Sequence, residues 1–427
     1  MCFGRSRRRE RDPGRESEFG RHSRRLRPAS LATGTRASRF PQAVRVDFMA
    51  YIAKSEKSEP TGFSKILHLN WGLMLLVLSA SALGLIVLYS VAGGSWHPWA
   101  SAQAIRFAFG LAIILVVAVV PVWFWQGIAV PTYIGAIGFL ILVELLGVTG
   151  MGARRWIDLG FVRLQPSEFM KVALVMALAT YYDWLSLEKV SRPLWILPPL
   201  AMILIPAEII RNQPDLGTSV LVVAGGLFVM FAAGVSLLYF AALAAAAAAI
   251  VAFVIWSRGT EWQVLKDYQY KRLDTFFDPS LDPFGSGYHI TQSKIALGSG
   301  GWSGRGFLQG TQSQLNFLPE KHTDFVFTTF AEEFGFVWGM LLIAIYGIIL
   351  GYCVVFAITS RNRYSSLLVL GLGGMFFLYF TINMGMVMGL LPVVGVPLPF
   401  ISYGGSATMV LAIAFGLIQS AHVHRAR

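Results

Sequence analysis

The sequence predicts an all-α polytopic membrane protein of ten transmembrane helices, with one large extracytoplasmic loop between spans seven and eight. Three observations carry that prediction. Hydrophobic residues make up 55% of the chain and charged residues 14%, against about 25% charged in an ordinary globular protein. Mean hydropathy is +0.59. Apolar runs long enough to cross roughly 30 Å of hydrocarbon recur from about residue 71 to the end, and they lack the alternation that barrel strands would need.

The formal net charge of +12 resembles a nucleic-acid signal, but roughly eight of those charges lie in residues 1–48, an Arg-rich segment without apolar periodicity. No nucleic-acid partner is therefore expected. The segment reads as a disordered tail, without the apolar centre of a secretory signal. It lies upstream of Met49, which reads as the true start of a single integral membrane domain over 49–427. Cys2 and Cys353 stand in different environments and predict neither a disulfide nor a metal framework.

Span one runs from Trp71 to about Ala92, with Trp96 and Trp99 as the aromatic belt at a membrane surface. Spans two and three, about 103–122 and 127–148, must form a tight hairpin. Arg106 and Glu144 lie inside these runs, where an unpaired charge is costly, so they are expected to pair with each other or with neighbours. A polar loop, Thr149 to Gln165, precedes span four, about 168–182. Span five ends near Ile210, and span six covers about 217–234. The Ala-rich stretch 241–249 of span seven suggests close helix packing rather than lipid contact.

About 65 polar, Gly-rich residues follow Trp256, and within them 261–277 reads as an interfacial amphipathic helix. Spans eight, nine and ten lie at about 324–358, 364–390 and 404–422. Ten spans put both termini on one side, together with Lys189, Arg192, Arg361, Arg363 and Arg425. The positive-inside rule makes that side cytoplasmic. The opposite face still carries Arg154, Arg155, Arg163, Arg211, Lys266, Lys271, Arg272, Lys294, Arg305 and Lys321. Such an excess of bases outside predicts an anionic ligand there, and a phosphate or pyrophosphate whose lipid tail stays in the bilayer fits best.

The segment QGTQSQLNFLPEKHTDFVFTTFAEEFG, 309–335, passes from a polar loop into an apolar helix, with Asp324 at the boundary. A capping role would account for an acid there; a catalytic one is the alternative. Glu168 and Lys171 share a helix face at i,i+3, and Glu208 and Arg211 repeat the spacing. Glu332 and Glu333 lie about two turns below Asp324, roughly 12 Å deeper at 1.5 Å per residue. At that depth they need partners, for which Lys171 and Arg211 are the candidates. GSGGWSGRG, 298–306, lacks the lysine and serine of a phosphate loop and reads as a hinge. His289 and His322 are isolated and read as structural. No zinc-type cluster, HExxH or serine nucleophile elbow occurs.

Six separated segments resemble the SEDS family of bacterial cell-wall proteins: GARRWIDLG at 152–160, QPSEFMK at 165–171, NQPDLGTS at 212–219, GSGYHITQSKIALGSGG at 285–301, GTQSQLNFLPEKHTDFVFTTFAEEFG at 310–335 and PLPFISYGGS at 397–406. They recur in the family's order across nearly all of residues 65–425. The stretch GTQSQLNFLPEKHTDF resembles the elongation (RodA) branch more than the FtsW or SpoVE branches. The resemblance implies a ten-span peptidoglycan glycosyltransferase that polymerises lipid II on the outer face of the cytoplasmic membrane. It would work beside a class B penicillin-binding protein and other elongation-complex proteins. It also implies that the family's essential acid is Asp324 and its essential loop tryptophan Trp156, and that Gln165, Pro166, Ser167, Glu168 and Lys171 hold conserved family positions.

Substrate contacts are expected from Trp156, Lys171, Glu168, Arg211, Lys321 and Arg305. Glycosyl transfer from a pyrophosphate needs one base for the acceptor hydroxyl and cations for the leaving group, and Asp324 is the base on this reading. A divalent cation is left open, since no clean ligand set is visible. Two other readings compete: a lipid II flippase, with Glu332 and Glu333 lining a polar path, and a noncatalytic scaffold, in which Asp324 is dispensable.

Overall fold

The computed structural model describes residues 64–150, 153–158, 163–263, 270, 274–275, 277–282, 285–315, 317–318 and 320–425. The expectations for residues 1–48 and Met49, and for most of the amphipathic segment 261–277, lie outside these residues. So do Lys266, Lys271 and Arg272. Of that segment, Trp262 and Phe277 are exposed.

Among the described residues, ten helices of 17 to 34 residues lie at the positions where spans are expected: α1 Trp71–Val91, α2 Trp99–Val119, α3 Val122–Leu146, α4 Pro166–Trp184, α5 Pro193–Asn212, α6 Leu216–Ala232, α7 Leu237–Trp256, α9 Val326–Thr359, α10 Arg363–Val387 and α11 Gly405–Val423. Helix α8, Ser286–Ser299, lies between α7 and α9. The chain is a polytopic, almost wholly helical membrane protein. Eight of the ten long helices are long and apolar enough to cross a membrane. The other two are α4, which carries Glu168, Lys171 and Asp183, and α6, which has only 17 residues. Both pack inside the bundle, α4 against α3, α10 and α6, and α6 against α5 and α10. Neighbouring helices cover most of α4, while α6 still exposes Val220 and Phe231.

Local chemistry sets the helix ends. Asn70 accepts from the Leu73 amide at 2.8 Å, Asp215 from Thr218 at 3.3 Å and Asn362 from Tyr364 at 3.0 Å, each taking an amide that the first turn leaves unpaired. Helix α5 carries Pro198, Pro199 and Pro206 in its interior, and a proline frees the carbonyl four residues earlier. Tyr181 OH donates to Trp195 O and Tyr133 OH to Met202 O, each at 2.8 Å. These are the carbonyls that Pro199 and Pro206 free, and hydroxyls from α4 and α3 satisfy them inside the apolar bundle.

Four expectations need correction. The loop 149–165 contains an antiparallel meander, β1 Val148–Gly150, β2 Ala153–Asp158 and β3 Arg163–Leu164, because ladder pairing satisfies a backbone lying against the bundle. Helix α7 does not pack closely: none of its residues is buried, and no described residue covers its alanines. Glu144 is exposed and makes no ion pair with a described residue, so Arg106 does not pair with it. Arg106 does find neighbours, Gln103 and Tyr403. Trp96 is exposed as expected, but Trp99 stacks on His322 with ring centroids 4.8 Å apart.

Candidate active site

Asp324 sits in the turn before α9, and its backbone is gripped from two sides. Asn383 Nδ2, on α10, donates to Asp324 O at 2.9 Å and to Val396 O at 2.7 Å. Next to it, Ser402 Oγ donates to Thr323 O at 2.6 Å and Tyr403 N to His322 O at 2.9 Å. The carboxylate faces Gly395, where an added Cβ would lie 3.5 Å from Oδ2. Gly395 has φ +71°, which favours glycine, so a bare backbone stands opposite the acid. Asp324 is half-buried. Burial, with a smaller contribution from the neighbouring Glu320 carboxylate, pushes it up to about 7. Its carboxylate does not cap α9, whose N-terminus has no side-chain cap.

One turn along α10 from Asn383, Tyr379 OH donates to Glu168 Oε2 at 2.5 Å. Lys171 Nζ donates to Glu168 Oε1 at 2.6 Å and also to Tyr379 OH, and it lies 4.4 Å from the Tyr379 ring centroid. All three residues are buried. The expected i,i+3 pair therefore forms, with a phenol closing it into a triad. Glu208 and Arg211 pair as well, Arg211 Nε donating to Glu208 Oε2 at 2.7 Å, but both side chains are 56% exposed.

Gln165 Nε2 donates to Asp215 Oδ2 at 3.0 Å, tying the start of α4 to the cap of α6. Arg155 donates to Gln213 O at 3.1 Å and to Pro214 O, which fastens β2 to the turn between α5 and α6. Trp156 follows in β2, half-buried and paired with Val148. The side chains of Arg154 and Arg163 lie outside what the structure describes.

Two expected cations differ in availability. Lys321 is turned inward, Nζ donating to Ser313 O at 2.6 Å, and burial lowers its pKa. Arg305 is exposed and donates to Thr311 Oγ1 at 2.9 Å. Arg106 is half-buried, 4.3 Å from the Tyr403 ring centroid and 3.1 Å from its hydroxyl. Tyr403 in turn packs on His322, whose pKa burial lowers. These contacts bring a cation from α2 toward the Asp324 turn. Sequence reasoning missed the roles of Tyr379, Asn383 and Tyr403. Tyr379 and Asn383 stand four apart in an otherwise apolar run, so their shared face was legible.

Glu332 and Glu333 are not partnered by Lys171 or Arg211, which are already paired with Glu168 and Glu208. Neutral donors hold them instead. Thr311 Oγ1 and Gln312 N reach Glu332 Oε1 at 3.0 and 3.1 Å, and Ser90 Oγ reaches Glu333 Oε1 at 2.5 Å. Ser90 is in the last turn of α1, so these acids lie level with the end of that span, not deep in the bilayer. The reason is a break at Gly335, φ +79°, inside α9. Only the part after it, 336–359, spans roughly 36 Å at 1.5 Å per residue. The glycine-rich segment closes on that break: Phe336 N donates to Gly301 O, Arg305 N to Glu332 O and Gly306 N to Glu333 O. An added Cβ on Gly335 would strike the backbone of Gly304, so these glycines permit a close crossing rather than a hinge.

A family model described as "Cell cycle protein", FtsW/RodA/SpoVE, matches residues 67–427. The chain is 40% identical over 362 residues to "Peptidoglycan glycosyltransferase MrdB" of Escherichia coli K12, covering 84% of this chain and 94% of that protein. It is 32% identical over 357 residues to "Stage V sporulation protein E" of Bacillus subtilis, covering 81% and 94%. Among solved structures, one described as "Structural coordination of polymerization and crosslinking by a peptidoglycan synthase complex" aligns with TM-score 0.72 at 29% identity, covering 84% of this chain and 98% of that one. The rod shape determining protein RodA of Thermus thermophilus aligns with TM-score 0.61 at 26% identity, covering 84% and 97%. With a family model over its whole helical region and relatives matched along most of their length, the chain belongs to the FtsW/RodA/SpoVE family.

Proposed function

We propose that this glycosyltransferase of cell-wall synthesis polymerises lipid II into glycan strands during elongation, releasing undecaprenyl pyrophosphate at the outer face of the cytoplasmic membrane. Ten helices cross the membrane and both termini are cytoplasmic on this reading. The observation that carries it is Asp324: a half-buried carboxylate with no side-chain partner among the described residues, held by backbone contacts and poised near neutral pH. A general base works best with a pKa near the operating pH. As the acceptor sugar hydroxyl attacks, its proton passes to Asp324, and the glycosyl–oxygen bond to the pyrophosphate breaks. The leaving group departs as a stable anion that needs positive charge rather than a proton.

Arg305 and Arg211, both exposed, and Arg106 behind Tyr403 supply cations on that face. Trp156 offers an apolar surface and one N–H donor for positioning the substrate. The buried Glu168–Lys171–Tyr379 triad and the inward Lys321 act by fixing the backbone around the site. The complex that joins polymerisation to crosslinking in a solved relative supports a class B penicillin-binding protein as partner. The flippase reading loses its polar path, because Glu332 and Glu333 are closed in by segment 299–314.

The test is glycan synthesis from purified lipid II by the purified protein, with and without its penicillin-binding partner. Strands from the wild type and none from Asp324→Asn, at equal lipid II binding, are expected. Long strands from Asp324→Asn at close to the wild-type rate would place the base elsewhere, as the scaffold reading requires.

A further inference from the structure

Glu332 and Glu333 take no part in the chemistry proposed above, yet they are 0% and 1% exposed. Neither forms an ion pair with a described residue. Each has one oxygen satisfied by donors, while Glu332 Oε2 and Glu333 Oε2 are buried without a hydrogen-bond partner. The backbone amides of Leu308 and Gly310 also face the Glu333 carboxylate as neutral donors. Gln312 Oε1, beside the amide that binds Glu332, is a third buried oxygen without a donor.

The two carboxylates converge on one small space. A Cβ added at Gly310 would lie 3.0 Å from Glu332 Oε2 and 3.2 Å from Glu333 Oε1. Gly310 has φ −69°, an ordinary value for any residue, so backbone conformation does not require glycine there. The two carboxylates packed against its backbone do, since a side chain there would press on both. Two buried negative charges with only neutral donors are costly unless a positive charge joins them. Arg305 stops one atom short, on Thr311 Oγ1 and Ser299 O.

We propose that Glu332 and Glu333 bind one hard divalent cation of the Mg²⁺, Mn²⁺ or Ca²⁺ class, which clamps segment 299–314 onto α9 beside its break at Gly335. An all-oxygen set of two carboxylates, an amide oxygen and water suits such an ion. Thiolates and imidazoles do not contribute. The cation is structural, so this inference goes beyond the reading of Asp324 and does not depend on it.

The experiment uses the full chain in detergent, stripped with EDTA and titrated with Mg²⁺, Mn²⁺ or Ca²⁺ at constant ionic strength. Thermal unfolding and trypsin cleavage after the exposed Arg305 are followed. The wild type should show a saturable rise in unfolding midpoint of roughly 5 °C and slower cleavage. Glu332→Gln and Glu333→Gln should lose that response. Gly310→Ala, which puts a methyl into the space, should weaken cation affinity at least tenfold while folding normally, and it serves if the glutamine variants do not fold. Mn²⁺ bound to the wild type should give one slow-tumbling resonance signal per chain. A wild type indifferent to all three cations overturns the proposal. So does a response retained in full by all of the variants that fold, or a midpoint that follows pH alone, which would assign a shared proton instead.

Discussion

Asp324 and Glu168 are held by two residues one turn apart on α10, Asn383 and Tyr379, yet their carboxylates are treated in opposite ways. Glu168 receives a proton donor on each oxygen and is buried beside Lys171. Asp324 has its backbone pinned, and its carboxylate faces Gly395 without a hydrogen-bond partner among the described residues. A satisfied carboxylate fixes helices; a free one in a half-dry setting can take a proton. The difference lies in the contacts, since both acids stand at the start of a helix beside a lysine within three residues.

The largest expected effect breaks the Asp324 side of this contrast. Asp324→Asn keeps size and polarity but cannot accept the proton, and polymerisation of lipid II should fall by about 10² to 10⁴, the usual range for general base catalysis. Its stability should move the other way. The folded pKa lies above the unfolded value, so the ionised group opposes folding increasingly as pH rises from about 4 to about 7. The asparagine variant should therefore match the wild type in melting at low pH and exceed it above pH 7. A variant that is inactive because it is poorly folded would show the reverse.

Next comes the Glu168 side. Lys171→Ala leaves Glu168 buried with only Tyr379 as donor, and breaking such a pair costs about 3 to 5 kcal/mol. Low yield or early unfolding is expected, and Lys171→Arg should be milder. Normal yield and activity for the alanine variant would show that the triad is not what fixes α4 to α10.

The pH profile sharpens the contrast without a mutation. Asp324 works ionised, so the polymerisation rate should be level above about pH 7 and fall about tenfold per unit below it. A flat profile between pH 5 and 8 would remove Asp324 from the proton-transfer step. Trp156→Ala should cost about tenfold in rate with normal membrane insertion, the scale of one aromatic contact of about 1.4 kcal/mol. Wild-type rates would reduce Trp156 to a surface residue.

The smallest effect is the control. Arg211 repeats the spacing of Lys171 but is 56% exposed, and surface pairs contribute about 0 to 1 kcal/mol. Arg211→Ala should melt like the wild type, so any loss of polymerisation would mark a substrate contact.

The sequence by itself determined the membrane class, the long apolar helices and both i,i+3 ion pairs. Hydropathy and the period of a helix are local, and any bilayer or helix enforces them. It also singled out Asp324 from its place at a polar–apolar boundary. Which acids are satisfied was decided only in three dimensions. Glu332 and Glu333 looked deep because a continuous helix carries residues downward at a fixed rise. The single left-handed Gly335 and the backbone of segment 301–306 reset that depth. Arg106 was expected to pair with Glu144 or with neighbours, and tertiary packing gave it Tyr403, nearly 300 residues away. The alanines of α7 carried a packing signal that the described residues do not answer. Long-range partners of this kind leave no periodic mark, because each depends on where a distant loop comes to rest.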